Sequence, residues 1–211
     1  YNRSELTGLA AVLARAGARF GKPIYLVSDE PYRCLVYDGT EVPPILPLHQ
    51  FSVVVGSFSK SLSLAGERIG YIAVNPAMPQ GDELLAGLIL CNRILGYVNA
   101  PVIGQRLVEA ALGVTVDAGI YRKRRDAMAS LLRDAGIEFA LPKGAFYFFP
   151  RVPGRVDDLE FCRLLLEERI LAVPGRGFGL PGYFRLTYCM DEAVIRRAAQ
   201  GFKNAATRAA R

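Results

Sequence analysis

Hydrophobic residues form short, nearly uninterrupted runs in the first third of the chain. Two of them, "PIYLVSDE" from Pro23 to Glu30 and "FSVVVGSF" from Phe51 to Phe58, are bounded by turn-forming residues. A third run, "RIGYIAVN", extends from Arg68 to Asn75. Runs without polar alternation, such as the first two, are typical of strands buried on both faces of an α/β sheet. The pattern therefore predicts three strands, with the first two buried in such a sheet.

Helical periodicity surrounds these runs. Four apolar residues before the first strand fall on one helical face: Leu6, Leu9, Ala10 and Leu13. Ser4 is the expected N-cap of that helix and Gly17 the expected stop. Further helices are predicted from Asp82 to Arg93, from Pro101 to Leu112 and from Val116 to Gly136.

From Ile137 onward, short strands alternate with helices. The predicted order is strand "AFYFF", a loop, helix "LEFCRLLLEERI", strand "LAVPG", strand "YFRLTYC" and helix "DEAVIRRAAQGFKNA". This is the pattern of a small α+β unit. We therefore place a domain boundary near Gly113 and expect two domains, residues 1–113 and residues 114–211, the second beginning with the long helix.

Composition and charge narrow the functional classes. The chain has 211 residues, of which 51% are apolar, which suits a globular protein with a buried core. The formal net charge is +6, and the one dense basic cluster, Arg122 to Arg125, recurs at helical spacing beside apolar positions. We interpret this cluster as a solvated helix face rather than a nucleic-acid contact.

Cysteine and histidine usage argues against metal chemistry. The four cysteines (Cys34, Cys91, Cys162 and Cys189) form no CxxC pair, and the only histidine is His49, in a proline-rich loop. Neither a zinc site nor a histidine-based triad is expected. No signal peptide opens the chain and no apolar run approaches membrane-spanning length, so we expect a reduced cytoplasmic setting without membrane contact.

Polar side chains follow the first two predicted strands where each strand ends. They are Asp29 and Tyr32 after the first strand, Ser57, Ser59 and Lys60 after the second, and Arg68 further on. Ligands of parallel α/β sheets gather at the carboxyl ends of strands, so both groups should face one crevice. A buried acid, a phenol, hydroxyls, a lysine and an arginine suit a cationic ring that carries a phosphate and an aldehyde. That ligand is pyridoxal 5′-phosphate.

Three of these residues match reactive parts of the cofactor. The amine of Lys60 would condense with the aldehyde as a Schiff base and would later act as general base and acid. Asp29 would keep the ring nitrogen protonated, which makes the ring an electron sink. Tyr32 would reach the 3′-oxygen of the ring.

The remaining residues would hold the phosphate. Ser57 and Ser59 offer hydroxyls, and Arg68 offers a forked, permanently charged guanidinium. Simpler interpretations stay open, since the serines could cap the following helix, Arg68 could form a structural salt bridge and Tyr32 could pack in the core. The segment "GRGFG", Gly175 to Gly179, is interpreted as a flexible turn near the substrate, because no strand-to-helix context supports a phosphate loop.

Several motifs together carry a resemblance to a known family: "SDEPY", "SFSKSLSLAGERIGY", "YVNAP…GQ", "KGAFYFFP", "AVPGRGFG" and "FRLTYC". With these motifs, which occur in the family's order, the sequence resembles the class I and II aminotransferases of fold type I. These are pyridoxal-phosphate enzymes related to aspartate aminotransferase. The resemblance implies that Arg185 binds the substrate α-carboxylate as a bidentate pair. It also implies a homodimer with the active site at the subunit interface, where Asn99 reaches the neighbouring cofactor, although Val98 departs from the small or hydroxyl residue often met there.

The resemblance also implies a fold and an activity. It predicts part of a cofactor-binding large domain with a three-layer α/β/α sheet, followed by a smaller α+β domain, and amino-group transfer between an α-amino acid and an α-keto acid. The family's N-terminal half, with a phosphate turn, a ring-stacking aromatic and an asparagine, has no counterpart here. We therefore expect the 211-residue chain alone to be inactive. A lyase or decarboxylase of the same fold and a non-catalytic sensor domain of a transcription regulator stay open as alternatives.

Overall fold

The computed structural model describes the whole chain, from Tyr1 to Arg211. It contains two compact units, Tyr1–Val116 and Asp117–Arg211, which are described separately. The division lies close to the expected boundary at Gly113.

The elements of the two units are as follows. The first unit contains strands β1 (Leu26–Asp29), β2 (Ser52–Ser57) and β3 (Gly70–Val74) and helices α1 (Arg3–Phe20), α2 (Phe58–Ser61), α3 (Gly81–Ile94) and α4 (Val102–Ala110). The second contains strands β4 (Tyr147–Phe148), β5 (Val173–Pro174) and β6 (Phe184–Thr187) and helices α5 (Ala118–Asp134), α6 (Asp158–Glu167), α7 (Glu192–Arg197) and α8 (Ala199–Ala209). Two 3₁₀-helices, Ala65–Glu67 and Gly175–Phe178, complete the list. None of the helices combines the length and the hydrophobicity needed to cross a membrane.

The first unit is built on a three-stranded sheet in the order β1-β2-β3. Strands β1 and β2 are parallel, with Asp29 opposite Val55. Strand β3 runs antiparallel to β2, with Gly70 opposite Ser57. A partly parallel sheet combined with helices gives the α/β class that the sequence predicts.

Burial differs between the middle strand and its neighbours. Most residues of β2 are buried, and Val54 packs in a cluster with Leu6 of α1 and Ile45 of the preceding loop. By contrast, Val27 of β1 is 61% exposed. The prediction of burial on both faces is therefore wrong for β1. Leu26, on one face, packs against this cluster, whereas the opposite face, which carries Val27, is not covered.

Helix α1 begins earlier and ends later than predicted. Its N-cap is Asn2 rather than Ser4, since Asn2 and Glu5 form a reciprocal capping box. The helix continues past Gly17 and ends at Gly21, which has the left-handed conformation (φ 64°). Gly17 has another use, because a Cβ there would lie 3.1 Å from the carbonyl oxygen of Lys22, so the glycine lets the returning chain pass close to the helix.

The second unit surrounds an antiparallel sheet in the order β4-β6-β5. Its core is rich in aromatic side chains, five of which are fully buried: Phe148, Phe161, Phe184, Tyr188 and Phe202. Helix α5 packs against α7 and α8, and α6 packs against α8. This is the small α+β unit that the sequence predicts.

Two elements of this unit are shorter than predicted. The strand expected over "AFYFF" is limited to Tyr147–Phe148, the part that pairs with β6. The last predicted helix is divided into α7 and α8 at Ala198, whose backbone N–H donates to the carbonyl of Ile195. This bond to the third preceding residue tightens the turn and interrupts the regular α-helical pattern.

Candidate active site

Asp29 and Ser57 lie at the carboxyl ends of adjacent parallel strands. Asp29 is the last residue of β1 and is the register partner of Val55, while Ser57 ends β2. Side chains alternate along a strand and register partners share a face, so these three side chains belong to the same face of the sheet. Ser57 is half-buried, whereas Asp29 is exposed, so the expectation of a buried acid is wrong: Asp29 lies on the same uncovered face of β1 as Val27. The structure thus brings the acid and the hydroxyl to one edge of one face.

Lys60 lies on α2, a single helical turn that follows β2 directly. Ser57 caps this helix, because its Oγ accepts a hydrogen bond from the backbone N–H of Ser59 at 3.2 Å. The same Oγ donates to Oγ of Ser59 at 3.0 Å. The capping interpretation of Ser57 is therefore correct. Ser57 uses its one hydroxyl hydrogen in the bond to Ser59, which leaves the hydroxyl hydrogen of Ser59 to donate to an anion. Lys60 is half-buried and follows at the sheet edge where Asp29 also lies.

Arg68 has a left-handed backbone conformation, with φ 52° and ψ 45°, just after the first 3₁₀-helix. Its Nη1 donates to the carbonyl of Ala65 at 2.9 Å. The side chain is exposed and takes no part in the ion pairs of the structure, so the salt-bridge interpretation finds no support. A guanidinium without a carboxylate partner suits an anionic ligand.

A cavity of about 710 Å³ connects two of the predicted residues. Arg68 and Asn99 both line it, together with Tyr71 of β3 and apolar side chains of α3. A second cavity, of about 350 Å³, is lined by Ser57 and Glu30 and shares Tyr71 with the first. Tyr71 is therefore a common wall of two cavities, a role that its position in the apolar run "RIGYIAVN" did not indicate.

Glu30, which the sequence alone did not single out, organises the turn that carries Tyr32. Its carboxylate accepts hydrogen bonds from Oγ of Ser28 at 2.9 Å and from Nη1 of Arg33 at 2.8 Å. Nη2 of Arg33 also donates to the carbonyl of Val42 at 2.7 Å. Only 10% of the Glu30 side chain is exposed, and a charge buried to this extent is costly unless it is paired. The hydrogen bonds from Ser28 and Arg33 pair it and hold the turn after β1 in place. Tyr32 is half-buried within that turn.

In the second unit, the guanidinium of Arg185 on β6 lies over two aromatic rings. Its guanidinium carbon is 4.8 Å from the ring centroid of Tyr147 and 4.4 Å from that of Phe178. Contacts with the two ring faces orient a guanidinium and leave its in-plane N–H groups for a carboxylate. Both aromatics lie in motifs quoted above, but their position beside the arginine could not be predicted without the tertiary structure.

The segment Gly175–Gly179, expected as a flexible turn, has a regular conformation. It forms a 3₁₀-helix that ends at Gly179 in the left-handed conformation (φ 74°). At its start the chain is closely packed, because a Cβ on Gly175 would lie 2.3 Å from the carbonyl oxygen of Leu180. Glycine therefore serves at position 175 for close backbone approach, a use that the sequence did not indicate.

The family comparison gives a match over nearly the whole chain. The family described as aminotransferase class I and II matches residues 2–202. The chain belongs to this family.

Curated class I and II aminotransferases and solved structures agree with this result. The aspartate aminotransferase of Thermotoga maritima is 30% identical over 195 residues, which are 89% of this chain and 47% of that protein. The asparagine–oxo-acid transaminase of Streptococcus mutans is 32% identical, over 83% of this chain and 47% of its own length. A crystal structure of an amino transferase from Eubacterium rectale superposes with a TM-score of 0.94 at 36% identity, covering 100% of this chain and 53% of that one. The chain thus spans about half the length of the relatives it matches.

Class I and II aminotransferases use pyridoxal 5′-phosphate, and the side chains described above fit that cofactor. The phosphate requires cations and hydroxyl donors, and here Arg68 has no carboxylate partner while the hydroxyls of Ser57 and Ser59 lie 3.0 Å apart. The ring requires a carboxylate, which Asp29 offers at the same sheet edge as the amine of Lys60. The donor set of this chain therefore matches the cofactor of its family.

Proposed function

We propose that the protein is a pyridoxal-phosphate-dependent aminotransferase that moves an amino group from an α-amino acid to an α-keto acid. The observation that carries the proposal is the position of Lys60, one helical turn after β2, at the sheet edge that also holds Asp29. Relatives named for aspartate, asparagine and LL-diaminopimelate support α-amino acids as the substrate class.

The residues of the first unit would divide the work at the cofactor. Pyridoxal 5′-phosphate, when bound, supplies an electrophilic aldehyde and a ring that takes up electron density. A carboxylate oxygen of Asp29 would accept the ring-nitrogen proton in a hydrogen bond, and the phenol of Tyr32 would donate to the ring's 3′-oxygen. In the resting protein, Nζ of Lys60 would bind the aldehyde carbon of the cofactor. During the reaction, the same Nζ would carry the proton that is taken from the substrate Cα.

The anionic groups of cofactor and substrate would be bound by separate residues. Ser57, Ser59 and Arg68 would bind the phosphate through two hydroxyls and one guanidinium. Arg185 would bind the substrate α-carboxylate with a pair of parallel N–H groups, because the two aromatic rings that its guanidinium lies over orient it and leave those groups unused. This division predicts that cofactor affinity and substrate affinity can be lost independently.

We also propose a homodimer with Asn99 reaching the partner's cofactor, and a cytoplasmic location. Large apolar side chains near Asn99 are strongly exposed, with Ile94 at 74%, Tyr97 at 72% and Ile103 at 72%. Such residues mark surfaces that another chain covers. The four cysteines are all unpaired, which supports a reducing compartment.

Product analysis tests the proposed activity, using protein expressed from the complete reading frame. With 2-oxoglutarate and either aspartate, asparagine or LL-diaminopimelate, we expect glutamate and the matching keto acid in equal amounts. Lys60→Ala should form neither product, whereas the control Lys22→Ala, which removes an exposed lysine of the same unit, should form both.

Release of carbon dioxide, or of ammonia with a keto acid, would indicate a decarboxylase or lyase. Cofactor binding without turnover of any amino acid would favour a sensor domain and overturn the proposal.

A further inference from the structure

A buried ion pair anchors the 3₁₀-helix Gly175–Phe178 to the start of α6. Asp158, the first residue of α6, has no exposed surface. Its Oδ2 accepts a hydrogen bond from the backbone N–H of Arg176 at 2.9 Å, and its Oδ1 accepts from Nε at 3.0 Å and from Nη2 at 2.7 Å. Nη2 of Arg176 also donates to Asp157 at 2.8 Å. One arginine therefore engages a buried carboxylate with both its main chain and its side chain.

This pairing fixes the path of the backbone. A buried carboxylate is costly unless its oxygens are hydrogen-bonded, so Arg176 cannot leave Asp158 without a large penalty. At the preceding position, the N–H of Gly175 donates to the carbonyl of Tyr183 at 2.7 Å, and the carbonyl of Gly175 accepts from Leu180 at 3.0 Å. Both the N–H and the carbonyl group of Gly175, the first residue of the short helix, are thus fixed by hydrogen bonds.

Phe178 ends this helix and gains a fixed position from it. Although 48% exposed, its ring faces the guanidinium of Arg185 and contacts Phe149 edge to face, with centroids 5.8 Å apart. Phe149 in turn stacks on Tyr183, with centroids 5.9 Å apart and the ring planes at 8°. Core packing does not account for the position of a phenylalanine that is half-exposed. The attraction between its ring and the adjacent guanidinium accounts for it better.

We propose that Phe178 and Arg176 are positioning residues for substrate binding: Arg176, paired with Asp158, holds the 3₁₀-helix so that Phe178 keeps the guanidinium of Arg185 flat against Tyr147. This inference rests on the proposed function, in which Arg185 binds the substrate carboxylate. Rings that lie against a guanidinium in this way leave its in-plane N–H groups for a carboxylate. Without Phe178 one of the two ring contacts is lost, and the side chain gains rotamers that do not present those N–H groups to the substrate.

The test compares four variants of the full-length protein with cofactor bound. Arg176→Met and Phe178→Leu should each raise KM for the amino acid by about tenfold and change kcat by no more than about twofold, because the contact orients the binding group and does not take part in the chemical step. Phe178→Tyr keeps an aromatic face and should restore the native KM. The matched control is Arg163→Met, which removes an exposed arginine of α6 that pairs with Glu160 and Glu167. It should leave both constants unchanged.

A second readout does not depend on turnover. In heteronuclear NMR spectra, the Nε–H signal of Arg185, identified by its loss in Arg185→Lys, should carry a ring-current shift from its two aromatic neighbours. The signal should move in Arg176→Met and Phe178→Leu and should stay in place in Arg163→Met and Phe178→Tyr. If Arg176→Met does not fold, Phe178→Leu carries the test alone, since Phe178 is half-exposed.

The outcomes separate the inference from the proposed function. If Arg185→Lys raises KM but Phe178→Leu changes neither KM nor the NMR signal, the positioning role is wrong and the role of Arg185 stands. If Arg185→Lys leaves KM unchanged, the proposed role of Arg185 is wrong, and the inference that rests on it falls with it.

Discussion

The ring of Tyr71 covers Gly56 on the neighbouring strand. The two residues are register partners on β3 and β2, and a Cβ on Gly56 would lie 2.2 Å from Cζ of the ring and 2.6 Å from the phenol oxygen. The glycine therefore allows the ring to lie across the end of β2, where Tyr71 lines both the cavity of Ser57 and that of Arg68.

Gly56→Ala should force this ring away and disturb both cavities. We expect the free energy of unfolding to fall by roughly 1–3 kcal/mol, the usual cost of overpacking. In a double-mutant cycle measured by urea denaturation, Tyr71→Ala should recover most of that loss in the Gly56→Ala background. Gly66→Ala is the control, because no atom lies within 4 Å of the added methyl group. Additive effects of the two substitutions would show that the steric account is wrong.

Lys60 should carry the cofactor. Borohydride reduction of the full-length protein with pyridoxal 5′-phosphate, followed by peptide mapping, should find the pyridoxyl label on Lys60, because the lysine amine is the nucleophile at the sheet edge. Lys60→Ala should remove the label and Lys22→Ala should retain it. A label on another lysine in the native protein would rule out the proposed role.

Asp29 should matter for the chemical step more than for cofactor retention. Asp29→Ala should leave the cofactor bound while slowing removal of the substrate Cα proton by several orders of magnitude, since the ring nitrogen loses the carboxylate that keeps it protonated. Single-turnover exchange of the Cα proton with deuterated solvent measures this rate. Asp82→Ala, at an exposed aspartate of α3, should behave as the native protein. An unchanged exchange rate in Asp29→Ala would mean that the acid is structural.

Arg185 should affect substrate affinity without affecting cofactor affinity. Breaking a desolvated charge pair on one side costs roughly 3–5 kcal/mol, so Arg185→Ala should weaken amino-acid binding by about two to three orders of magnitude or more. Cofactor affinity should hardly change. Titration of each ligand into the variant checks both expectations, and equal losses for the two ligands would indicate misfolding instead.

Asp158 should give the protein part of its acid sensitivity. Side-chain hydrogen bonds from Arg176 hold the pKa of Asp158 well below its usual range. A depressed pKa means that the carboxylate contributes stability above its unfolded value of 3.8 and loses that contribution as the pH falls toward the folded value. The free energy of unfolding should therefore decline between about pH 5 and about pH 2, and Asp158→Asn should flatten that decline.

Urea denaturation at a series of pH values measures this slope. Asp134→Asn, at an exposed aspartate of α5, is the control and should keep the native slope. Identical slopes for the native protein and Asp158→Asn would show that the pair does not govern acid unfolding.

The parts of the fold that follow local signals could be predicted from the sequence. Strands β1 and β2 are apolar runs with polar residues at their ends, so Asp29, Ser57 and Lys60 were found together without any tertiary information. The start of α1 could also have been found, because Asn2 followed three residues later by Glu5 is a capping-box pattern. Ser4, the expected N-cap, lies inside the helix and takes no part in that reciprocal bond.

Other features depend on contacts between distant segments and have no local signature. Arg176 and Asp158 are separated by 18 positions and come together only because α6 packs beside the 3₁₀-helix. A glycine-rich segment such as the one around Arg176 therefore suggested flexibility, although a buried carboxylate holds it. The exposure of Val27 has a similar cause, since an apolar run does not indicate whether another element covers each face of its strand.

The backbone at Arg68 has a consequence for protein engineering. An L-residue with φ 52° is strained, and replacement by glycine at such a position usually relieves the strain. A stabilisation campaign guided by backbone geometry would therefore select Arg68→Gly. The Arg68→Gly variant would gain thermal stability but lose the guanidinium that we propose for the phosphate. At position 68, higher stability should therefore come with lower cofactor affinity.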